Sequence, residues 1–312
     1  MKPIFSLVIN DDFIQKLKCT RCGSLGTFEE KRNKLSDCTL RCKTCGNNYY
    51  VKDGVLNTLN TFDDNYWDNL YTEGFKGNST HGSKQLIRLI DKTLNNLPNS
   101  LLYFTLVNLL CHFKTKFKIS IELGCGTGVY SLLLKKMRII DIPILVDMSL
   151  PALKTAQNIF DAFGEKALFV LADATSLPFV DKCFDLSLSG GLIEHFKGEQ
   201  LSRIVSEHCR VVSSVACQFP APTPCYWLQR GYISALNFGW PFGYELPLHR
   251  DTVKYLFETE QFQLCAESYH DMMSTLLTRA TLPLNFNTLP KQKGLLNKLT
   301  TTESVMYFVQ EA

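Results

Sequence analysis

The chain has 312 residues, 45% hydrophobic and 20% charged, which suits a soluble globular protein with one large domain and a small one. A formal net charge of only +3 excludes a nucleic-acid footprint carried by the whole chain. The most apolar stretch, LLYFTLVNLLCHF at 101–113, is shorter than the roughly 20 residues of a membrane-spanning helix and reads as a buried helix. The opening MKPIFSLVINDDF has too short an apolar run for a signal peptide, so a cytoplasmic protein with reduced thiols is expected.

Residues 1–60 are dense in Cys, Lys, Asn and Thr. The turn signals Cys22-Gly23 and Asp53-Gly54 predict a few short strands. Cys19-x-x-Cys22 and Cys42-x-x-Cys45 stand 19 residues apart, a spacing at which four thiolates can surround one zinc ion tetrahedrally. Each pair is followed by glycine (CTRCG, CKTCG), which suits a knuckle turn. Cys38 is a competing ligand without a partner two residues away. No His, Asp or water position is evident, so a closed structural zinc site is expected, in a module separable from the rest of the chain. Lys16, Lys18, Arg21, Lys31, Arg32, Lys34, Arg41 and Lys43 crowd these cysteines, either as a solvated surface or as an RNA contact.

Residues 61–117 read as a helical lead-in. Gly74, Gly77 and Gly82 break its early part; Leu86, Leu89, Ile90 and Leu94 then recur at helical spacing in SKQLIRLIDKTLNNL, and Pro98 closes the segment. From 118 to 312 short strand candidates alternate with helices. KISIEL, IPILVD, ALFVLAD, CFDLSLS and VVSSVACQF are the strands; YSLLLKKMR, SLPALKTAQNIFDAF and GEQLSRIVSEHCR are helices. The repeat predicts an α/β fold with a parallel sheet covered on both faces. TVKYLFETE adds a helix, and FQLCAES and SVMYFVQ add strands. The aromatic segment 219–250 and the Leu/Lys/Thr-rich 281–303 fall outside the repeat.

The most informative segment is ISIELGCGTGVYSLLL, in which a strand runs into Gly124, Gly126 and Gly128 and then into a helix. Glycines allow a sharp turn and close approach of backbone to a ligand. The next strand ends in Asp147, 23 residues after Gly124, where a carboxylate can accept hydrogen bonds from both hydroxyls of a ribose. The third strand ends at Asp173. Either Asp can instead cap the helix that follows its strand.

Here the sequence resembles the class I S-adenosylmethionine-dependent methyltransferases. IELGCGTG looks like their first motif, LVDMS their second, LADATSLPF their third, and FDLSLSGGLIEHF their fourth strand with its helix. The likeness covers about 118–270 and implies a Rossmann-like sheet flanked by helices, with S-adenosylmethionine as cofactor. Gly124, Gly126 and Gly128, with Cys125 and Thr127 between them, would pass under its methionine portion. Glu122 would orient that loop or the amino group through water. Asp147 would hold the ribose and Met148 pack on the adenine. Asp173 would meet the adenine amino group, the Ala174 N–H a ring nitrogen, and Gly190 would lie close to the methionine end. CKTCGNNYYVKDGVL, within 19–59, resembles zinc ribbons that precede some rRNA guanine methyltransferases, and the small zinc-binding activator subunit of translation-associated methyltransferases.

Methyl transfer needs alignment more than covalent help, with a base only where the acceptor carries a proton to remove. Glu194-His195 is the candidate, with His195 as base; the alternative is a helix-start feature. Some quinone-pathway O-methyltransferases hold a metal with E-x-x-E-H here, but Gly191 stands in place of the first Glu. The Asn/Asp-Pro-Pro-Tyr/Phe motif of adenine and glutamine N-methyltransferases is absent. Tyr226, Trp227, Trp240 and Tyr244 in 219–250 are expected to form a lid over the acceptor, with His249 and Arg250 near enough to pair with an acidic group. The expected activity is methyl transfer to a small or medium-sized acceptor. RNA methylation through the ribbon, and a non-catalytic partner protein that keeps the fold, are the rival readings.

Overall fold

The computed structural model describes residues 11–32, 37–59, 66–69, 71–72, 79–95, 104–113, 115–237, 243–271 and 301–311. Trp240, Lys34 and nearly all of the 281–303 insertion lie outside the described residues. After α1 (Asp11–Gln15), the Cys-rich segment forms the antiparallel strands β1 (Phe28–Arg32), β2 (Cys38–Cys42), β3 (Asn48–Lys52) and β4 (Val55–Asn57). Asp53 and Gly54 close the β3–β4 hairpin with φ of 48° and 78°, the paired left-handed conformation that Asp-Gly favours in tight hairpins.

The lead-in comprises α2 (Tyr66–Asn69), α3 (Ser79–Asn95) and α4 (Thr105–His112). α3 begins earlier than expected and runs through Gly82, since one helical glycine costs only about 1 kcal/mol. Ile90 is buried as expected and Thr93 beside it, whereas Leu89, expected on the same face, is exposed. The apolar stretch forms α4, with Leu106, Val107, Leu109 and Leu110 buried.

Strands and helices then alternate: β5 (Phe117–Leu123), α5 (Val129–Lys136), β6 (Ile140–Asp147), α6 (Leu150–Ala162), β7 (Leu168–Leu171), β8 (Phe184–Gly190), α7 (Glu199–Val211), β9 (Val212–Pro220), α8 (Pro224–Asn237), α9 (Arg250–Thr259), β10 (Phe262–Asp271) and β11 (Thr301–Gln310). They build one sheet in the order β1-β2-β3-β4-β7-β6-β5-β8-β9-β11-β10, parallel from β4 to β9. β11 runs antiparallel between β9 and β10. Side chains alternate across the sheet. Ile144, Val146 and Val170 face α7, α9 and the N-terminal segment, whereas Leu145, Phe169 and Leu171 face α3 to α6.

The ribbon is continuous with this sheet and is not a separate module. β4 pairs in parallel with β7, Leu56 opposite Val170 and Asn57 opposite Leu171. Leu17, Phe28, Leu40 and Tyr49 share one core with Phe179, Phe184 and Ile204. So short a segment has little core of its own, and β4 covers an otherwise open sheet edge. At the centre, the chain leaves β5 toward β6 and β7 and returns on the other side as β8. Open α/β sheets bind ligands at the carboxyl ends of the strands flanking such a reversal.

Candidate functional site

Beyond Leu123 the chain turns through Gly124, Gly126 and Gly128 at φ of 60°, 50° and 68°. A Cβ on Gly126 would stand 2.3 Å from the Tyr71 hydroxyl, and one on Gly128 would stand 2.3 Å from Leu145 Cδ2. Left-handed backbone and close approach thus both require glycine at these two positions. Glu122 is 2% exposed and accepts from the Ser131 N–H at 3.0 Å, tying the end of β5 to the first turn of α5. Burial pushes its carboxyl up to about 7, and the neighbouring Asp147 charge adds to the rise.

Asp147 ends β6 and is 9% exposed. Its Oδ2 accepts from the Gly126 N–H at 2.8 Å and its Oδ1 from the Ser149 N–H at 2.9 Å. The carboxylate therefore holds the glycine loop to the second strand. Burial raises it to about 6, against the lowering effect of these backbone donors. The cap of α6 is Ser149, whose hydroxyl accepts from the Ala152 N–H. Asp173 accepts from the N–H and hydroxyl of Thr175, both at 2.8 Å, in a local turn with no helix after it.

A cavity of about 450 Å³ lies over the ends of β5, β6 and β8. Its lining includes Glu122, Gly124, Cys125, Gly126, Thr127, Asp147, Met148, Asp173, Ala174, Gly190 and His195. Among the expected cofactor positions only Gly128 is outside the lining, because it packs beneath the loop as the cap of α5. Residues 121–214 match a family model described as a methyltransferase domain.

The stretch from β5 into β9 thus matches a methyltransferase domain, on a sheet of Rossmann-like fold. A chain of the complex between the Haloferax volcanii Trm112 methyltransferase activator and a methyltransferase is similar at 12% identity and a TM-score of 0.50, with 80% of this chain and 100% of that one covered. Magnesium protoporphyrin IX methyltransferase from Synechocystis PCC 6803, solved with bound SAH, is similar at 13% identity and a TM-score of 0.49, with 78% and 97% covered. No curated protein sequence matches the chain.

Sequence reasoning missed several walls of this cavity. Tyr71 comes from the lead-in, where no motif marks it; burial keeps its phenol protonated far above the usual range. Tyr130, in the first turn of α5, lies under Gly190, where a Cβ would stand 2.4 Å from its ring. Its place two residues after Gly128 was the available signal.

The aromatic segment behaves differently from the expected lid. Tyr226 is buried and donates to Glu245 at 2.6 Å, while Trp227 and Tyr244 are half exposed and do not line the cavity. The segment instead docks by its backbone: the Leu246 N–H donates to Glu194 O at 2.9 Å, and the Tyr244 carbonyl meets His195 Nδ1. A carbonyl only accepts, so Nδ1 donates in this contact. Arg250 pairs with Glu267 of the protein itself.

The four ribbon cysteines converge, with all Sγ atoms within 4.8 Å of one another. Cys19 to Cys45 is 3.7 Å and Cys22 to Cys42 is 3.8 Å. A zinc ion with Zn–S bonds of about 2.3 Å sets a tetrahedral edge of about 3.8 Å, so the thiols fit zinc. Gly23 and Gly46, both at φ 74°, turn the two knuckles, and Cys38 lies outside the cluster. The ribbon also reaches the cavity wall. Thr58 gives its N–H and hydroxyl to Leu171 O at 3.0 and 3.1 Å. Lys18 N donates to Pro178 O, and Val180 N to Lys16 O. Ala172–Thr175, between these anchors, line the cavity.

Proposed function

We propose that the protein transfers a methyl group from S-adenosylmethionine to a small or medium-sized acceptor. The convergence of the glycine loop, Asp147 and Gly190 on one cavity at the topological reversal supports this reading. The cofactor supplies an activated methyl on sulfur. The chain's own groups bind and align it: Gly124–Gly128 beneath the methionine portion, Asp147 at the ribose, Met148 and Asp173–Ala174 at the adenine. His195 lines the cavity, with Nδ1 tied to Tyr244 O, and is the candidate base toward the acceptor. Cys19, Cys22, Cys42 and Cys45 hold one structural zinc, and such a thiolate set suits the reducing cytoplasm. Among the described residues no helix is long and apolar enough to cross a membrane.

Calorimetry with S-adenosylmethionine and S-adenosylhomocysteine tests the reading. Saturable 1:1 binding of both is expected, together with methyl transfer to a component of a metabolite extract; failure to bind either refutes it. A second reading, RNA as acceptor, rests on the exposed Arg21, Lys31, Arg41 and Lys43 around the cysteines. It requires RNA affinity that falls steeply with salt.

A further inference from the structure

The aromatic segment that does not cover the cavity turns one face of its helix to solvent. α8 packs on β11, with Tyr226 buried on its inner side. The exposed residues described on α8 are Pro224, Trp227, Leu228, Gly231, Tyr232 and Ala235. They recur at intervals of three and one, so they share a single helical face. A surface helix ordinarily turns polar residues outward, yet this face carries no charge. Trp227 is 50% exposed, and Leu228 and Tyr232 are each 67% exposed. Tyr244 and Leu246, about half exposed, flank Glu245, and Arg230 ties that segment to α8. The Arg230 guanidinium stands 5.7 Å from the Trp227 ring centroid and donates to Glu245 O at 2.9 Å. The Tyr244 carbonyl in turn meets His195 Nδ1, and His195 lines the cavity. A contiguous apolar patch beside a ligand cavity marks an interaction surface.

The charges around the patch select its occupant. From Phe219 to Leu248 the sequence holds only two charged residues, Arg230 and Glu245. The Glu245 carboxylate accepts from the Tyr226 hydroxyl at 2.6 Å, so it is held by the helix itself. Two cations ride over exposed rings of the patch: Arg230 over Trp227, and Lys197 over Tyr244 at 5.5 Å from the ring centroid. Cations beside exposed Trp and Tyr rings, next to an uncharged apolar stripe, match the layers of a bilayer surface, where phosphates lie outside an aromatic-rich boundary and acyl chains inside it. We infer that α8 docks flat on a lipid bilayer. Trp227, Leu228 and Tyr232 enter the boundary between headgroups and acyl chains, and Arg230 and Lys197 meet lipid phosphates. With 14 residues the helix is too short to span the bilayer, which takes roughly 20. A second copy of the chain fits the patch less well. At about 150–250 Å² for a whole large side chain, the exposed parts of the five expose roughly 400–700 Å². A standard protein interface takes about 800 Å² from each partner. The inference goes beyond the methyl-transfer reading and does not depend on it.

The test floats the full chain with vesicles of phosphatidylcholine, with and without added phosphatidylglycerol, in low and in high salt. The chain should float with phosphatidylcholine alone, and its partition coefficient should change less than threefold with salt, because apolar contact carries the binding. Leu228→Glu and Tyr232→Glu should each lower that coefficient at least tenfold. Both should keep the wild-type melting temperature, since neither position is buried. Leu25→Glu, the same change at an exposed leucine of the ribbon, should move the coefficient less than twofold. A wild-type chain that does not float, or flotation that survives both α8 variants, overturns the inference. So does flotation that appears only with phosphatidylglycerol and is lost in high salt, since the basic residues around the cysteines would then make the contact. Sedimentation equilibrium without lipid supplies the last arm. The chain should be a monomer or a dimer indifferent to Leu228→Glu; a dimer that this variant dissociates overturns the inference, because a second copy would then cover the face. Cofactor binding, measured separately, decides the methyl-transfer reading whichever way these results fall.

Discussion

Replacing Asp147 by Asn tests the cofactor site and the loop it holds at the same time. The carboxylate receives the Gly126 and Ser149 amides on separate oxygens, at 2.8 and 2.9 Å. Asn keeps one carbonyl oxygen and turns an NH₂ toward the other amide, which has nothing to accept it. One charge-assisted bond is lost, worth about 1.5–3 kcal/mol. At about 2 °C per kcal/mol for a chain of this size, the melting temperature should fall by about 3–6 °C. If the carboxylate also takes both ribose hydroxyls, S-adenosylhomocysteine affinity should drop by one to three orders of magnitude, as about 1.4 kcal/mol is tenfold. A loosened glycine loop alone weakens binding too. The assay therefore compares S-adenosylhomocysteine with its 2′,3′-dideoxy analogue by calorimetry in both proteins. Wild type should prefer the hydroxylated ligand, and Asp147→Asn should lose that preference, a coupling of at least about 1.4 kcal/mol. A folded variant with the wild-type preference refutes the ribose assignment and leaves Asp147 as a brace of the loop.

Gly190→Ala should weaken S-adenosylhomocysteine binding by about 5- to 100-fold, because its Cβ meets the Tyr130 ring at 2.4 Å and overpacking costs about 1–3 kcal/mol; an unchanged Kd would show that the ring moves freely. Asp147 stands near 6 in the empty cavity, and ribose hydroxyls require its ionised form, so a proton competes with the cofactor. Affinity should be full above about pH 7 and fall as pH drops below about 6, by up to about tenfold per unit, with the slope lost in Asp147→Asn; a flat Kd between pH 5 and 7.5 would oppose this. His195→Gln should lower kcat by about 10²–10⁴-fold while leaving S-adenosylmethionine affinity intact; an unchanged kcat would make the turn structural. Cys42→Ser should abolish zinc binding and also weaken S-adenosylhomocysteine binding, measured by metal analysis and calorimetry; zinc loss with full cofactor affinity would show that the ribbon and the cavity are uncoupled.

The parts of the fold that were legible in the sequence are those where local chemistry and periodicity agree. The apolar run of IPILVD and the alternation of FDLSLS predict strands, and Gly126 and Gly128 mark the positions where backbone and neighbour leave no room for a side chain. The Cys-x-x-Cys pairs predict a cluster that the Sγ distances match. Features set by long-range pairing were not legible. Nothing in VLN at 55–57 says that it adds to β7, and nothing in the lead-in says that Tyr71 closes over Gly126. In 219–250 aromatic density reports burial or contact without saying with what. Tyr226 is spent on Glu245 and Arg230, and the segment reaches the site through the backbone of residues 244 and 246.

The connection between ribbon and cavity gives the zinc site a bearing on the methyltransferase that a detachable module would lack. Ala172–Thr175 contain no regular structure; Asp147 O holds the Ala172 N–H, and the ribbon holds both ends of the segment. One end is Leu171, whose carbonyl is held twice by Thr58, directly after β4. The other is Pro178–Val180, paired with Lys16–Lys18, and Cys19 is the next residue along the chain. Both anchors therefore belong to the chain that the cysteines fold, one entering the cluster and the other leaving it. A ribbon without its metal has too little core to keep these strands in register. On the proposed reading, in which the cysteines hold zinc and this wall meets the adenine, the free energy of zinc binding is shared with the order of the wall, and by linkage cofactor binding favours the zinc-bound ribbon.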